Sequence, residues 1–221
     1  MTANAQTIIF DFDYTLADSS RGAVDCINYA LAQMSLPLAG YDLACSTIGL
    51  SLEDTFTAIT RGSDVTSATR FSKLFVERAE VTMAELTFLF DFVPPVISEL
   101  KKKGFVLGIV STKYQRRIRS ILARDRLLDH FDVIVGGEDV TRHKPHPEGL
   151  FKALETLNRD PATGFYVGDS IVDGAVAERA GMPFIAVLSG TTRRDAFDGL
   201  PVAKVIDSVA HLPTALSDLS S

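Results

Sequence analysis

The sequence predicts an α/β protein: a Rossmann-like, doubly wound parallel sheet forms the core, and an α-helical cap domain is inserted into it. Two observations indicate this fold. Six short apolar runs lack polar alternation, which suits strands that are covered on both faces. The later runs alternate with helix-like segments, and βα repetition of this kind implies parallel strands with helices on both sides of the sheet.

The elements of the core follow in order along the chain. The predicted strands cover residues 6–10, 105–111, 131–135, 164–168, 184–188 and 203–206. The predicted helices between and after the later strands cover residues 115–124, 147–157, 171–180 and 208–219. This alternation predicts one sheet for the whole core.

The interval from about residue 18 to residue 90 interrupts the alternation. It has no convincing strand, but amphipathic helical patterns cover residues 21–34, 52–61 and about 67–88. An interval of this length is far more than one crossover helix needs. We therefore assign residues 18–90 to a helical cap domain, and residues 1–17 and 91–221 to the core. We expect the second hinge near residues 91–95, where a double proline stops the helix.

Composition limits the classes of function. No apolar run approaches the roughly 20 residues that span a bilayer, and the first residues do not resemble a secretory signal, so we expect a cytoplasmic protein with no membrane association. The net charge of −6 argues against nucleic acid as a partner. Cys26 and Cys45 are too few for a disulfide framework, and we expect reduced thiols.

Polar residues stand at the ends of several apolar runs, where open α/β sheets bind their ligands. The residues at these places are Asp11, Asp13, Ser111, Thr112, Lys113, Asp169 and Asp173, together with Lys144 in a loop before a helix. Singly, several of them have a structural explanation as helix caps or first-turn acids. The ordered set favours an active site.

These residue types suit phosphoryl transfer. Acids two apart in an extended chain point the same way, and acids four apart at a helix start share a face, so the carboxylates can converge. Converging carboxylates repel each other, and a set of oxygen ligands favours Mg²⁺ as the ion that relieves the repulsion. Lys144, the hydroxyl of Ser111 and the amides around Thr112 can hold phosphate oxygens, which leaves one aspartate to attack phosphorus.

The ordered motifs resemble the haloacid dehalogenase superfamily, phosphatase type, in its branch with a helical cap. The motifs are DFDYT at 11–15, the pair Ser111 and Thr112, Lys144 in HKPHPEG, and GDSIVD at 168–173. The stretches IGLSLEDTF at 48–56 and LKKKGF at 100–105 are similar to phosphoglycolate phosphatases. Tyr14 stands where the family usually has glycine, and Thr112 where asparagine is frequent.

The resemblance implies a role for each matching residue. Asp11 is the nucleophile that forms an aspartyl-phosphate, and Asp13 protonates the leaving oxygen and then activates water. The implied Mg²⁺ ligands are Asp11, Asp169 and the main-chain carbonyl of Asp13. Ser111, Thr112 and Lys144 hold the phosphoryl group. Thr15 and Asp173 support the metal site from close by.

The implied function is an Mg²⁺-dependent phosphatase for a small phosphorylated metabolite, with phosphoglycolate as the first candidate. Two alternatives remain open from the sequence: a sugar-phosphate mutase of the β-phosphoglucomutase type, and a non-catalytic member that only binds phosphate. The expected oligomeric state is a monomer or a homodimer.

Overall fold

A computed structural model describes residues 6–62 and 64–219 of the chain. Contacts within the described chain divide it into two compact units. One unit is Asp18–Phe88, and the other contains the segments before and after it. The first is helical and the second contains the large sheet, so we call them the helical unit and the sheet unit.

The described chain has eight strands, six of which form the parallel sheet of the sheet unit. In chain order the strands are β1 (Thr7–Phe10), β2 (Ala17–Asp18), β3 (Phe88–Leu89), β4 (Val106–Val110), β5 (Val133–Val135), β6 (Gly164–Gly168), β7 (Phe184–Val187) and β8 (Val202–Ile206). The large sheet has the order β5-β4-β1-β6-β7-β8, and β2 pairs with β3. The chain thus winds outwards in both directions from β1, which confirms the predicted doubly wound parallel sheet.

The helices pack against the sheet or form the helical unit. In chain order they are α1 (Ser20–Gln33), α2 (Tyr41–Cys45), α3 (Leu52–Thr60), α4 (Val65–Thr82), α5 (Val93–Lys102), α6 (Gln115–Arg124), α7 (Glu148–Leu157), α8 (Ile171–Ala180) and α9 (Leu212–Leu219). None of the helices in the described ranges has the length and apolar character needed to cross a bilayer.

One cluster of the sheet unit's core consists of strand side chains and the apolar faces of α7 and α8. Ile9, Leu150, Tyr166 and Phe184 are fully or almost fully buried there. Burial on both faces explains why the strands are apolar without alternation, because neither face of a parallel sheet meets water. The sheet is therefore a rigid support for the loops at its carboxyl edge.

The helical unit has its own core, between α1, α3 and α4. Phe56, Phe71 and Phe75 pack in a row, with neighbouring ring centroids 5.5 and 6.3 Å apart. The side-chain amide of Asn28 closes the connection after α1, because it accepts from Ala39 N at 2.8 Å and donates to Ala39 O at 3.2 Å. These contacts give residues 18–88 a separate packed interior.

The end of the helical unit differs from the prediction. The last predicted helix runs to residue 88, but α4 ends at Thr82 and the short strand β3 follows. The double proline does not stop a helix, because Pro94 and Pro95 lie in the first turn of α5. Proline is tolerated there since the first amides of a helix have no intrahelical acceptor.

Candidate active site

The loop after β1 carries two buried acids, Asp11 and Asp13, whose residues are only 4% and 6% exposed. Asp11 N donates to Val167 O at 2.8 Å, so the ladder between β1 and β6 continues one residue past the strand. Beyond it the chain turns tightly, and Ala17 N donates to Phe12 O at 3.1 Å. Main-chain bonds thus hold both acids at the carboxyl edge of the sheet.

Tyr14 lies in this turn with a φ of 58°. That left-handed conformation favours glycine. Tyrosine at position 14 is therefore strained where the glycine usual in the family would not be. Two hydrogen bonds to its main-chain atoms hold the strained residue: Tyr14 N donates to Ala17 O at 2.7 Å, and the side-chain Oγ of Ser189 donates to Tyr14 O at 2.5 Å. The loop after β7 therefore braces the turn that carries Asp13.

Lys144 connects two of the acids. Its Nζ lies 2.8 Å from Asp11 Oδ1 and 2.8 Å from Asp173 Oδ1, and its side chain is 7% exposed. Burial alone lowers the pKa of a lysine, but the carboxylates of Asp11 and Asp173 outweigh burial and raise the pKa of Lys144 well above its usual value. The ammonium group is therefore a permanent positive charge in the site.

Asp173 is held by four donors at the start of α8. Its Oδ2 accepts from Ser170 Oγ at 2.6 Å and from Ser170 N at 3.1 Å, while Oδ1 accepts from Lys144. The hydroxyl of Tyr166 lies 3.1 Å from the same Oδ1 and 3.1 Å from Val110 O. Ser170 is the N-cap of α8 and forms a capping box with Asp173, and Asp173 also orients Lys144.

Asp169 completes a cluster of acids. Asp11, Asp169 and Asp173 each offer a carboxylate oxygen, and these atoms lie within 4.8 Å of one another. Burial, followed by the charges of Asp173 and Asp11, raises the pKa of Asp169 well above its usual value. Burial raises the pKa of Asp11 to about 6 although Lys144 lowers it. Burial is the largest cause of both pKa shifts, because it penalises the charged form of each carboxyl group.

The donor set and the charge at this edge fit a divalent cation. Among the described residues, the buried carboxyl groups at positions 11, 13, 169 and 173, when all are ionised, exceed the ammonium groups at 113 and 144 by two negative charges. All the candidate metal ligands are oxygen atoms, which Mg²⁺ prefers. The oxygens of Asp173 are already engaged by four donors, so Asp11 and Asp169 are the better direct ligands.

The loop after β4 contributes the remaining predicted residues. Ser111 is buried and its amide donates to Val135 O at 3.1 Å. Ser111, Thr112 and Lys144 line the same cavity. Thr15 reaches the acids as well, since its Oγ1 lies 3.5 Å from Asp169 Oδ1. All residues that the sequence indicated for the site therefore lie at one edge of the sheet.

Three residues at this site were not predicted. Tyr166 contacts Asp173 from inside β6, where its position in an apolar strand resembles ordinary core and offers no signal. Ser189 and Gly190 follow β7, and the rule that ligands lie beyond the carboxyl ends of strands would have indicated them. Gly190 has a steric requirement: a Cβ there would lie 1.9 Å from Asp169 Oδ2.

The fold and the site define a class of α/β protein in which buried acids and two lysines lie together at the carboxyl edge of a parallel sheet. Comparison with known proteins agrees. The profile of the haloacid dehalogenase-like hydrolases matches residues 8–187. The protein named "Probable phosphatase IndB" of Dickeya dadantii is 30% identical over 210 residues, which are 93% of this chain and 90% of that protein.

Two further relatives cover most of the chain. The phosphoglycolate phosphatase of Yersinia pseudotuberculosis is 31% identical over 187 residues, 83% of this chain and 81% of that protein. A crystal structure of a haloacid dehalogenase-like hydrolase from Bacteroides fragilis has a TM-score of 0.91 and 40% identity, and covers 95% of this chain and 100% of that one.

The chain belongs to the haloacid dehalogenase-like hydrolases. The predicted family is confirmed, and so is the predicted enzyme class, a phosphoric monoester hydrolase.

Replacement of Gly190 by alanine tests the packing around Asp169. Because the new Cβ would lie 2.7 Å from Asp169 Cγ as well as 1.9 Å from Oδ2, the carboxylate must leave its position. Gly190→Ala should therefore lower the affinity for a divalent cation by about 10–100-fold, as loss of a supporting contact does in metal sites. Titration calorimetry with Mg²⁺, on protein from which EDTA has removed bound metal, measures this affinity.

Gly40→Ala is the matched control. A Cβ at position 40 meets nothing within 4 Å, and Gly40 has a φ of −63° that alanine adopts readily. This variant should keep the affinity of the unmodified protein. Equal affinities of the Gly190→Ala variant and the unmodified protein would show that the loop after β7 does not constrain Asp169.

Proposed function

We propose that the protein is an Mg²⁺-dependent phosphatase that hydrolyses a small phosphomonoester through an aspartyl-phosphate at Asp11. The observation that carries this proposal is the separate pairing of the two acids after β1. Asp11 is paired with Lys144 at 2.8 Å, and Asp13 is paired with Lys113 at 3.0 Å. Two carboxylates in different surroundings can take different parts in one reaction.

The metal site of the proposal consists of Asp11, Asp169 and the main-chain carbonyl of Asp13. Asp173 and Thr15 support it, because Asp173 orients Lys144 and Thr15 Oγ1 lies 3.5 Å from Asp169. A bound Mg²⁺ supplies positive charge that stabilises the charge developing on the phosphoryl oxygens. Burial of the carboxylates increases this attraction, since little water screens it.

Asp11 is the proposed nucleophile. Lys144 holds one of its oxygens, which fixes the orientation of the carboxylate, and the same ammonium group neutralises charge on the incoming phosphoryl group. Ser111 and the Thr112 amide are proposed to hold further phosphoryl oxygens, because both follow β4, the strand next to β1 in the sheet. Attack by a carboxylate oxygen on phosphorus then displaces the alcohol of the substrate.

Asp13 is the proposed acid and base. It gives a proton to the departing alcohol oxygen and afterwards takes one from the water that attacks the aspartyl-phosphate. The Asp13 side chain is 8% exposed, so little bulk water surrounds its carboxyl group.

The substrate class follows from the relatives and from the extent of the site. A relative named phosphoglycolate phosphatase covers 83% of this chain, and phosphoglycolate is the first candidate. The sheet unit provides groups for the phosphoryl moiety. The prediction for the helical unit is that it sets specificity for the rest of the substrate. The candidate segment is the start of α3, where Ser51 caps the helix and Glu53 is exposed.

The pKa of Asp11 gives the metal-free protein a defined pH dependence. Its rise from 3.8 to about 6 on folding means that the folded chain binds the proton more tightly than the unfolded chain. Asp11 thus contributes stability that is fully present below pH 3.8 and is lost as the pH rises through about 6. Mg²⁺ competes with this proton, so it should raise the melting temperature more at about pH 7.5 than at about pH 5.

Thermal unfolding after treatment with EDTA, with and without added Mg²⁺, measures this difference. At about 100 times its dissociation constant, an ion that binds only the folded state contributes about 2.7 kcal/mol. The Asp169→Asn variant, which lacks a proposed ligand, should show a smaller Mg²⁺-induced shift of the melting temperature. Hydrolysis by the unmodified protein should stop in EDTA and return with Mg²⁺. Unchanged hydrolysis in excess EDTA would contradict the metal assignment.

Substitution of the two acids separates their proposed roles. Asp11→Asn should bind substrate but form no covalent intermediate. Asp13→Asn should accept phosphate from an aryl ester, whose leaving group needs no proton, and then stall, because loss of acid and base assistance lowers the rate by about 10²–10⁴-fold. Rapid quench and peptide mapping should locate phosphate on Asp11 in the Asp13→Asn variant. Phosphate on another residue, or equal hydrolysis by both variants, would refute the roles.

Exchange of residues at the start of α3 tests the role of the helical unit. Leu52 is partly buried and Glu53 is exposed, so substitution of both should change the ranking of phosphorylated metabolites more than the turnover of a small aryl ester. Release of phosphate across a metabolite panel measures the ranking. The Val81→Ala variant, on the exposed side of α4, is the control. An unchanged ranking after the Leu52 and Glu53 substitutions would remove this role.

A further inference from the structure

The ion pair between Lys113 and Asp13 is buried and joins two neighbouring loops. Lys113 Nζ lies 3.0 Å from Asp13 Oδ1, and the two side chains are 5% and 8% exposed. Asp13 follows β1 and Lys113 follows β4, which are adjacent strands of the sheet. A buried lysine side chain is unfavourable unless it is paired, so this placement requires an explanation.

The main chain of Lys113 is fixed on both sides. Its amide donates to Ser111 Oγ at 3.3 Å, and its carbonyl accepts from Gly137 N at 3.1 Å. Gly137 also packs directly on the loop, because a Cβ there would lie 2.3 Å from Thr112 O. The loop after β5 therefore holds the loop after β4, and the base of the Lys113 side chain has little freedom.

The pairing distinguishes the two oxygens of Asp13. The ammonium group of Lys113 lies 3.0 Å from Oδ1 as an ion pair, whereas Lys144 pairs with Asp11 and Asp173 instead. A carboxylate that rotates about its side-chain bonds is a poor proton donor, since proton transfer requires an approach within hydrogen-bond reach of the reacting oxygen. Attraction between the ammonium group and Oδ1, 3.0 Å apart, favours one orientation of the Asp13 carboxylate.

We infer that Lys113 is a positioning residue for the reaction: it holds Asp13 Oδ1 so that Oδ2 exchanges the proton with the leaving oxygen and then with water. This inference rests on the proposed function. Lys113 acts through Asp13 and not on the phosphoryl group, so its contribution depends on how much the leaving group needs a proton.

Comparison of two esters tests this dependence. With an alkyl ester such as glycerol phosphate, Lys113→Met should slow the phosphorylation of Asp11 by about 10²-fold, the effect of a misplaced reacting group. With para-nitrophenyl phosphate, whose leaving group needs no proton, the rate should stay within about threefold. Single-turnover rapid quench at saturating Mg²⁺ and saturating ester measures both rates.

Two further variants serve as controls. Lys103→Met removes a lysine from an exposed pair with Glu99 and should change neither rate. Lys113→Arg keeps the charge and should recover most of the rate with glycerol phosphate. Equal losses with both esters in Lys113→Met, or an increase in KM alone, would overturn the inference and assign Lys113 to phosphate binding or to the fold.

A double substitution decides the question if Lys113→Met does not fold. Asp13→Asn with Lys113→Met removes both charges of the pair, so no unpaired buried charge remains. Relative to Asp13→Asn alone, the double variant should show no further loss of the Asp11 phosphorylation rate, because residues that act as one unit are not additive. A further tenfold loss would overturn the inference.

The same experiments separate this inference from the proposed function. An unmodified protein that phosphorylates Asp11 while Lys113→Met loses activity equally with all esters defeats the inference alone. An unmodified protein that forms no phosphate adduct at Asp11 and releases no phosphate from any ester tested defeats both.

Discussion

The ammonium group of Lys144, 2.8 Å from both Asp11 and Asp173, is the contact on which the rest of the site depends. Parallel strands bring their carboxyl ends to one edge, so acids from different loops are forced into one buried cluster. Such a cluster is unfavourable without positive charge. Lys144 provides part of this positive charge, and Lys113 provides another part at Asp13. The negative charge that the two lysines leave uncompensated makes the edge suited to a divalent cation.

Close approach of the main chain keeps this cluster compact. A Cβ at Gly168 would lie 2.6 Å from Asp173 Cγ, and a Cβ at Gly190 would lie 1.9 Å from Asp169 Oδ2. Residues without side chains thus let the loops after β6 and β7 contact the carboxylates directly. The tight packing excludes water, and the pKa of Asp11 rises to about 6 mainly for that reason.

Much of the fold was predictable because the signal is local. The bounds of β6, α6 and α8 agree with the sequence pattern, since burial on both sides requires apolar runs and the helix periods are regular. The short helix α2 was not predicted. It has five residues, and tertiary contacts such as that of Tyr41 OH with Ser20 Oγ at 2.9 Å support it. Helices this short gain little from propensity alone.

The sequence by itself determined which chemical groups stand at the strand ends, because each group directly follows the apolar run that forms the strand. Only the tertiary structure decided which of these groups pair. Lys113 contacts Asp13, 100 positions earlier, while Lys144 contacts Asp11 and Asp173. Tyr166 supports the site from inside a strand. Electrostatic and steric interactions depend on distances in space, and here the strand order of the sheet sets those distances.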